Sequence, residues 1–120
     1  MRRILFSLIA LALLVGLAGC STAEADSVKV GPDAIVLDVR TPQEFAAGHL
    51  EGAELLDFNS GEFAAEIPDL DPGAEYFIYC RSGNRSGQAV AMLEDAGFTN
   101  VTDLGALDAA ASATGISIVN

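Results

Sequence analysis

Tryptophan is absent from this 120-residue chain, histidine occurs once and cysteine twice. One histidine and two widely separated cysteines supply no metal-ligand cluster, so a structural zinc site is not expected. Positive charge is scarce too: six Lys and Arg stand against seventeen Asp and Glu. Arg2 and Arg3 use up two of the six, so beyond residue 19 only Lys29, Arg40, Arg81 and Arg85 remain, for a formal charge of −13. Such a body repels nucleic acid and anionic lipid headgroups, and no nucleic-acid partner is expected. The long apolar run is confined to residues 4–17, and no internal repeat or low-complexity block follows it. The rest is enough for one small domain.

Two of the four remaining cations fall in one short segment, Cys80-Arg81-Ser82-Gly83-Asn84-Arg85-Ser86, directly after the apolar run Tyr76-Phe77-Ile78-Tyr79. That run reads as a buried strand. Residues 86–96 place Ala89, Val90, Leu93 and Ala96 at helical spacing, with Ser86 as the expected N-cap. Cys80 therefore leaves a strand on a polar loop that feeds a helix. This placement is expected to leave the sulfur solvent-accessible and exposed to backbone N–H groups and the positive end of a helix dipole, which favour a thiolate. Arg81 and Arg85 add fixed charge that can hold an anion beside it. The plainer alternative is a small, inert residue ending a core strand, with solvated arginines.

The remaining chain alternates strands and helices. Residues 28–30 read as an edge strand and 34–39 as a buried parallel strand broken by Asp38. Thr41-Pro42-Gln43-Glu44 is a helix start, with Thr41 as cap, Pro42 at the first helical position and Glu44 closing a capping box. Gly48 would end that helix. Strands are expected at 53–58, 75–79, 99–104 and 116–119, and helices at 60–67 and 106–113. The pattern predicts a small α/β domain with a mostly parallel sheet and helices on both faces.

Residues 1–20 stand apart. Arg2 and Arg3, the apolar run and Leu17-Ala18-Gly19-Cys20 resemble a bacterial lipoprotein signal. The resemblance implies cleavage of residues 1–19 and lipidation of Cys20 on the extracytoplasmic face of a cell membrane. Residues 20–27 would form a flexible tether and 28–120 the folded domain. Cys80 would then be the only free thiol of an exported protein.

Two blocks further along resemble one known family. Leu37-Asp38-Val39-Arg40-Thr41-Pro42-Gln43-Glu44-Phe45, followed by Gly48-His49-Leu50 and Gly52-Ala53, is similar to the first signature of rhodanese-like domains. The segment from Cys80 to Ser86 resembles their active-site loop. Gly105 keeps one of a glycine pair usual in the family, and Ala111 stands where a tryptophan is usual. The resemblance implies that Cys80 is the nucleophile of a single-domain sulfurtransferase and carries a persulfide. A small sulfur-containing anion such as thiosulfate would be the donor and a thiol or cyanide the acceptor, with no cofactor or metal.

Arg81, Ser82, Gly83, Asn84, Arg85 and Ser86 would form the substrate cradle, with Arg81 binding the anion and Gly83 permitting the loop geometry. Asp38 is expected to buttress the loop by pairing with Arg85, while Arg40 and Glu44 pair with each other. His49 is expected to fix the 48–52 loop through a hydrogen bond rather than act as a base. Cysteine phosphatases use a wider Cys-x5-Arg cradle; the four residues between Cys80 and Arg85 favour sulfur over a tetrahedral oxyanion. A non-catalytic binding or sulfur-sensing module is the other alternative.

Overall fold

The computed structural model describes residues 27–120. The expected signal segment, Cys20 and all but the last residue of the expected tether lie outside the described residues. Six strands and four α-helices follow in order: β1 (Ile35–Asp38), α1 (Pro42–Ala47), β2 (His49–Leu50), β3 (Glu54–Leu55), α2 (Glu62–Glu66), β4 (Tyr76–Cys80), α3 (Asn84–Asp95), β5 (Val101–Ala106), α4 (Leu107–Thr114) and β6 (Ile118–Val119). A single 3-10 turn (Ile67–Asp69) extends α2.

The main sheet has the order β3-β1-β4-β5, and all its pairings are parallel. Side chains along a strand alternate between faces, and the core divides accordingly. Tyr76, Ile78 and Cys80 pack with Leu37, Val39, Phe63, Ala89 and Leu93, under α2 and α3. Phe77 and Tyr79 point the other way, with Val36, Leu50, Leu104 and Ala110, under α4. Helices thus cover both faces, which is why β4 is apolar at every position and buried throughout.

Several expected boundaries move. Residues 28–30 form no strand; Val28 and Val30 pack against the second core cluster as coil, and the Val28 N–H donates to the Ala113 carbonyl at 2.8 Å. The strand expected over 53–58 is only two residues long. The helix after Cys80 begins at Asn84, with Gly83 at the N-cap, so Ser86 sits inside the first turn and is not the cap. The short strand β2 was not expected; it pairs antiparallel with β6, His49 opposite Val119 and Leu50 opposite Ile118.

Because β1 and β4 run parallel with Asp38 in register with Tyr79, the ends of both strands open at the same edge of the sheet. In open parallel sheets this edge is where ligands bind.

Candidate active site

Cys80 is the last residue of β4 and is fully buried. This differs from the expected exposed thiol, and the cause is local. The chain turns back at Gly83, whose N–H donates to Cys80 Sγ at 2.9 Å. Ser86, also buried, lies 3.5 Å from the sulfur through Oγ, and its hydroxyl donates to the Gly83 carbonyl at 3.2 Å. The loop closes over the sulfur like a cup. Burial pushes the Cys80 thiol up, but the Ser86 hydroxyl and the N–H groups of Ser86, Ser82 and Gly83 together outweigh it, and the pKa is lowered.

Gly83 makes this geometry possible. Its φ of 90° lies in the left-handed region that a side chain disfavours. A Cβ there would meet the Cα of Gly105 at an ordinary contact distance of 3.5 Å, so the backbone conformation and not space is what asks for glycine. Gly105, with φ of 77°, follows the irregularity in the β4–β5 register, where Tyr79 faces it.

The ion pairs exchange partners relative to expectation. Arg85 does not reach Asp38; it grips Glu44 with two parallel bonds, Nη1 to Oε1 at 2.8 Å and Nη2 to Oε2 at 3.0 Å. Arg40 does not pair with Glu44; it folds back on Asp38, with Nη2 to Oδ2 at 2.6 Å and Nε to Oδ1 at 2.9 Å. The reason is local: β1 ends at Asp38 on the face of Tyr79, opposite to that of Cys80, and the chain then bends so that the Arg40 N–H donates to Asp38 Oδ1 at 2.9 Å and the guanidinium folds onto the same carboxylate. The Arg40 guanidinium accordingly lies 5.5 Å from the Tyr79 ring centroid and donates to the Gly48 carbonyl at 2.6 Å. Asp38 therefore anchors the 40–48 segment and does not buttress the Cys80 loop. The pair is buried, so losing one partner would strand the other charge at a cost of roughly 3–5 kcal/mol.

Glu44 takes the role expected of Asp38. It closes the capping box on Thr41, as the sequence predicts, and simultaneously holds Arg85 in the first turn of α3. The Arg85 guanidinium keeps the Glu44 carboxyl at about 2, well below its ordinary value. Two of the five Arg85 N–H donors are so engaged, which fixes the guanidinium against α1 and lets this residue shape the loop. His49 Nδ1 lies 2.8 Å from the Phe45 carbonyl, and its ring stacks on Phe45 at 3.6 Å. It fastens the end of α1 to β2, not the 48–52 loop internally.

Beside the loop lies a cleft of about 430 Å³. Arg40, Glu44 and Ala47 line it from the first motif, Arg81 from the Cys80 loop, and Ala106, Leu107 and Asp108 from the β5–α4 junction. Arg81, Ser82 and Asn84 are exposed. Sequence reasoning missed the contribution of the β5–α4 junction. The available signal was Gly105 at the end of a predicted parallel strand, the edge at which such sheets bind ligands.

Comparison with known proteins agrees with this architecture. The family profile of the rhodanese-like domain matches residues 21–109. Thiosulfate sulfurtransferase GlpE of Pseudomonas entomophila is 44% identical over 68 residues, 57% of this chain and 61% of that protein. Thiosulfate sulfurtransferase PspE of Escherichia coli is 32% identical over 73 residues, 59% of this chain and 68% of that protein. The match thus spans under two thirds of the length of the GlpE relative. Among solved structures, a rhodanese with anions from E. coli superposes with a TM-score of 0.59 at 27% identity, covering 72% of this chain and 98% of that one. A rhodanese-related protein from Thermoplasma volcanium gives a TM-score of 0.63 at 26% identity, covering 78% and 97%. With a family match over most of its length and the same fold, the chain belongs to the rhodanese-like domain family.

Proposed function

We propose that this protein is a sulfurtransferase that moves a sulfane sulfur, for example from thiosulfate, through a persulfide on Cys80 to a thiophilic acceptor. The observation that carries the reading is the cup around the sulfur, in which the Gly83 N–H donates to Sγ at 2.9 Å and Ser86 Oγ lies 3.5 Å from it. That N–H stabilises negative charge on Sγ, both when the thiolate attacks and when it is released again. The curated relatives GlpE and PspE, both named thiosulfate sulfurtransferases, support the same chemistry.

In the first half-reaction the Cys80 thiolate attacks the outer sulfur of thiosulfate. An Sγ–S bond forms, the S–S bond of thiosulfate breaks, and sulfite leaves with the electron pair. Arg81 offers its guanidinium to the departing anion from the cleft. In the second half-reaction cyanide or a thiolate attacks the terminal sulfur, and the electron pair of the broken bond returns to Cys80.

The burial of Cys80 favours one second reading, a binding module whose thiol is inert. A thiosulfate:cyanide assay separates the two. The full chain should gain one sulfur on Cys80 and release thiocyanate, and Cys80→Ser should abolish both while keeping the fold, because the side chains are similar in size. A wild-type Cys80 that gains no sulfur from any donor would leave the binding module standing. We further propose that the domain acts outside the cytoplasm, tethered to a membrane through lipid on Cys20; the basic start, the apolar run and the Leu17–Cys20 series support that reading.

A further inference from the structure

Four charged side chains line the cleft beside the loop that follows Cys80, and their pairing leaves it a particular charge pattern. Arg40 is committed to Asp38 at 2.6 Å and Glu44 to Arg85 at 2.8 Å, so each presents close to no net charge. Arg81 and Asp108 are exposed in the same cleft, and among the described residues neither has an ion-pair partner, the other included. Their placement follows from the strand register. Arg81 is the residue after Cys80, and Ala106, two residues before Asp108, is the register partner of Cys80. One unspent cation and one unspent carboxylate therefore follow the ends of neighbouring strands, the first of which ends on Cys80, and the apolar Ala106 and Leu107 line the same cleft.

A doubly charged anion gains from Arg81 but is repelled by Asp108, so the carboxylate does not serve a thiosulfate-like donor. It suits a positive group. Building on the sulfurtransferase reading, we propose that the acceptor is a small zwitterionic amino thiol, its carboxylate held by Arg81 and its ammonium by Asp108. The deprotonated thiol attacks the terminal sulfur of the Cys80 persulfide. A new S–S bond forms to the acceptor, the Sγ–S bond breaks, and its electron pair returns to Sγ, to which the Gly83 N–H donates. The acceptor leaves as its persulfide anion, which takes its proton from water, and no oxidant or reductant is consumed.

The test loads Cys80 of the full chain with polysulfide and follows discharge on the Cys80 peptide by mass spectrometry. The acceptors are L-cysteine, cysteamine, 3-mercaptopropionate and 2-mercaptoethanol, with wild type and Asp108→Asn compared for each. Taking the ratio within one acceptor cancels its intrinsic thiol reactivity. The variant should lose about threefold to fivefold with cysteine and cysteamine, in keeping with an exposed ion pair, and high salt should erase the difference. It should lose nothing with the two thiols that lack an ammonium group. Equal ratios for all four acceptors would overturn the proposal. If polysulfide loads Cys80 and the pattern appears but thiosulfate does not load it, the thiosulfate reading fails while the acceptor assignment stands. A Cys80 that polysulfide cannot load sinks both.

Discussion

Glu44 caps α1 through Thr41 and holds Arg85 in the first turn of α3, so one carboxylate joins the first sequence motif to the sulfur-bearing loop. Its protonation behaviour makes that link measurable. The carboxyl takes up its proton near 2 in the folded chain, against 4.5 ordinarily. The stabilisation it provides is complete above the higher value and is lost as pH falls from there toward the lower one. Because the pair is part-exposed and screened by solvent, its contribution is about 1 kcal/mol. Glu44→Gln should therefore lower the thermal midpoint at neutral pH and flatten the stability profile in that acid window, as read by thermal melts across pH. A variant whose acid profile matches wild type would show that the pair holds nothing. That Glu44 starts a helix was legible in the sequence, since a capping box is a four-residue affair. Its choice of Arg85 was not, because forty residues lie between the partners. The Asp38–Arg40 pair, by contrast, was open to sequence reasoning, because an Asp side chain commonly accepts from the backbone two residues on.

Between β4 and α3 the critical element is the loop, and its glycine decides more than its charges do. Ser86 has the composition of an N-cap, yet the cap falls three residues earlier, on Gly83, and the helix begins at Asn84, because Gly83 can take a positive φ and turn the chain sooner. That shift moves the Ser86 hydroxyl from capping duty to the sulfur. Gly83→Ala would force a left-handed conformation on a residue with a Cβ, at roughly 1–2 kcal/mol. The strained loop should also loosen the N–H contact to Sγ. The Cys80 pKa should then rise, shown by an ultraviolet thiolate titration displaced to higher pH, together with a lower thermal midpoint. A displaced midpoint with an unchanged titration would mean that the N–H contributes nothing to the thiolate. The short strands β2 and β3 were the elements least readable beforehand. Two-residue strands carry no periodicity; their existence depends on a partner being nearby, β6 for one and β1 for the other.

For the molecule as a whole, charge and anchoring bear on each other. A body with a formal charge of −13 beyond residue 19 gains no attraction from anionic headgroups, so the proposed residence at a membrane would rest on the lipid chains on Cys20. Each buried methylene contributes ~0.8 kcal/mol, and stable anchoring takes two chains or more. Mass spectrometry of the amino-terminal peptide should accordingly find Cys20 as the first residue and acylated, with the protein in the membrane fraction. An unmodified Cys20, or a protein found wholly in the medium with Cys20 intact, would refute the anchor.

By itself the sequence determined the class of the fold, the position of Cys80 at a strand exit and the capping box of α1. Each of these depends on residues adjacent in the chain, where turn chemistry and apolar periodicity act directly. Only the tertiary structure decided which arginine meets which carboxylate, that the sulfur is enclosed, and that Asp108 joins Arg81 in one cleft. Those outcomes follow from strand register and sheet order, which bring distant segments to the same edge and, through the alternation of side chains, choose the face on which they meet.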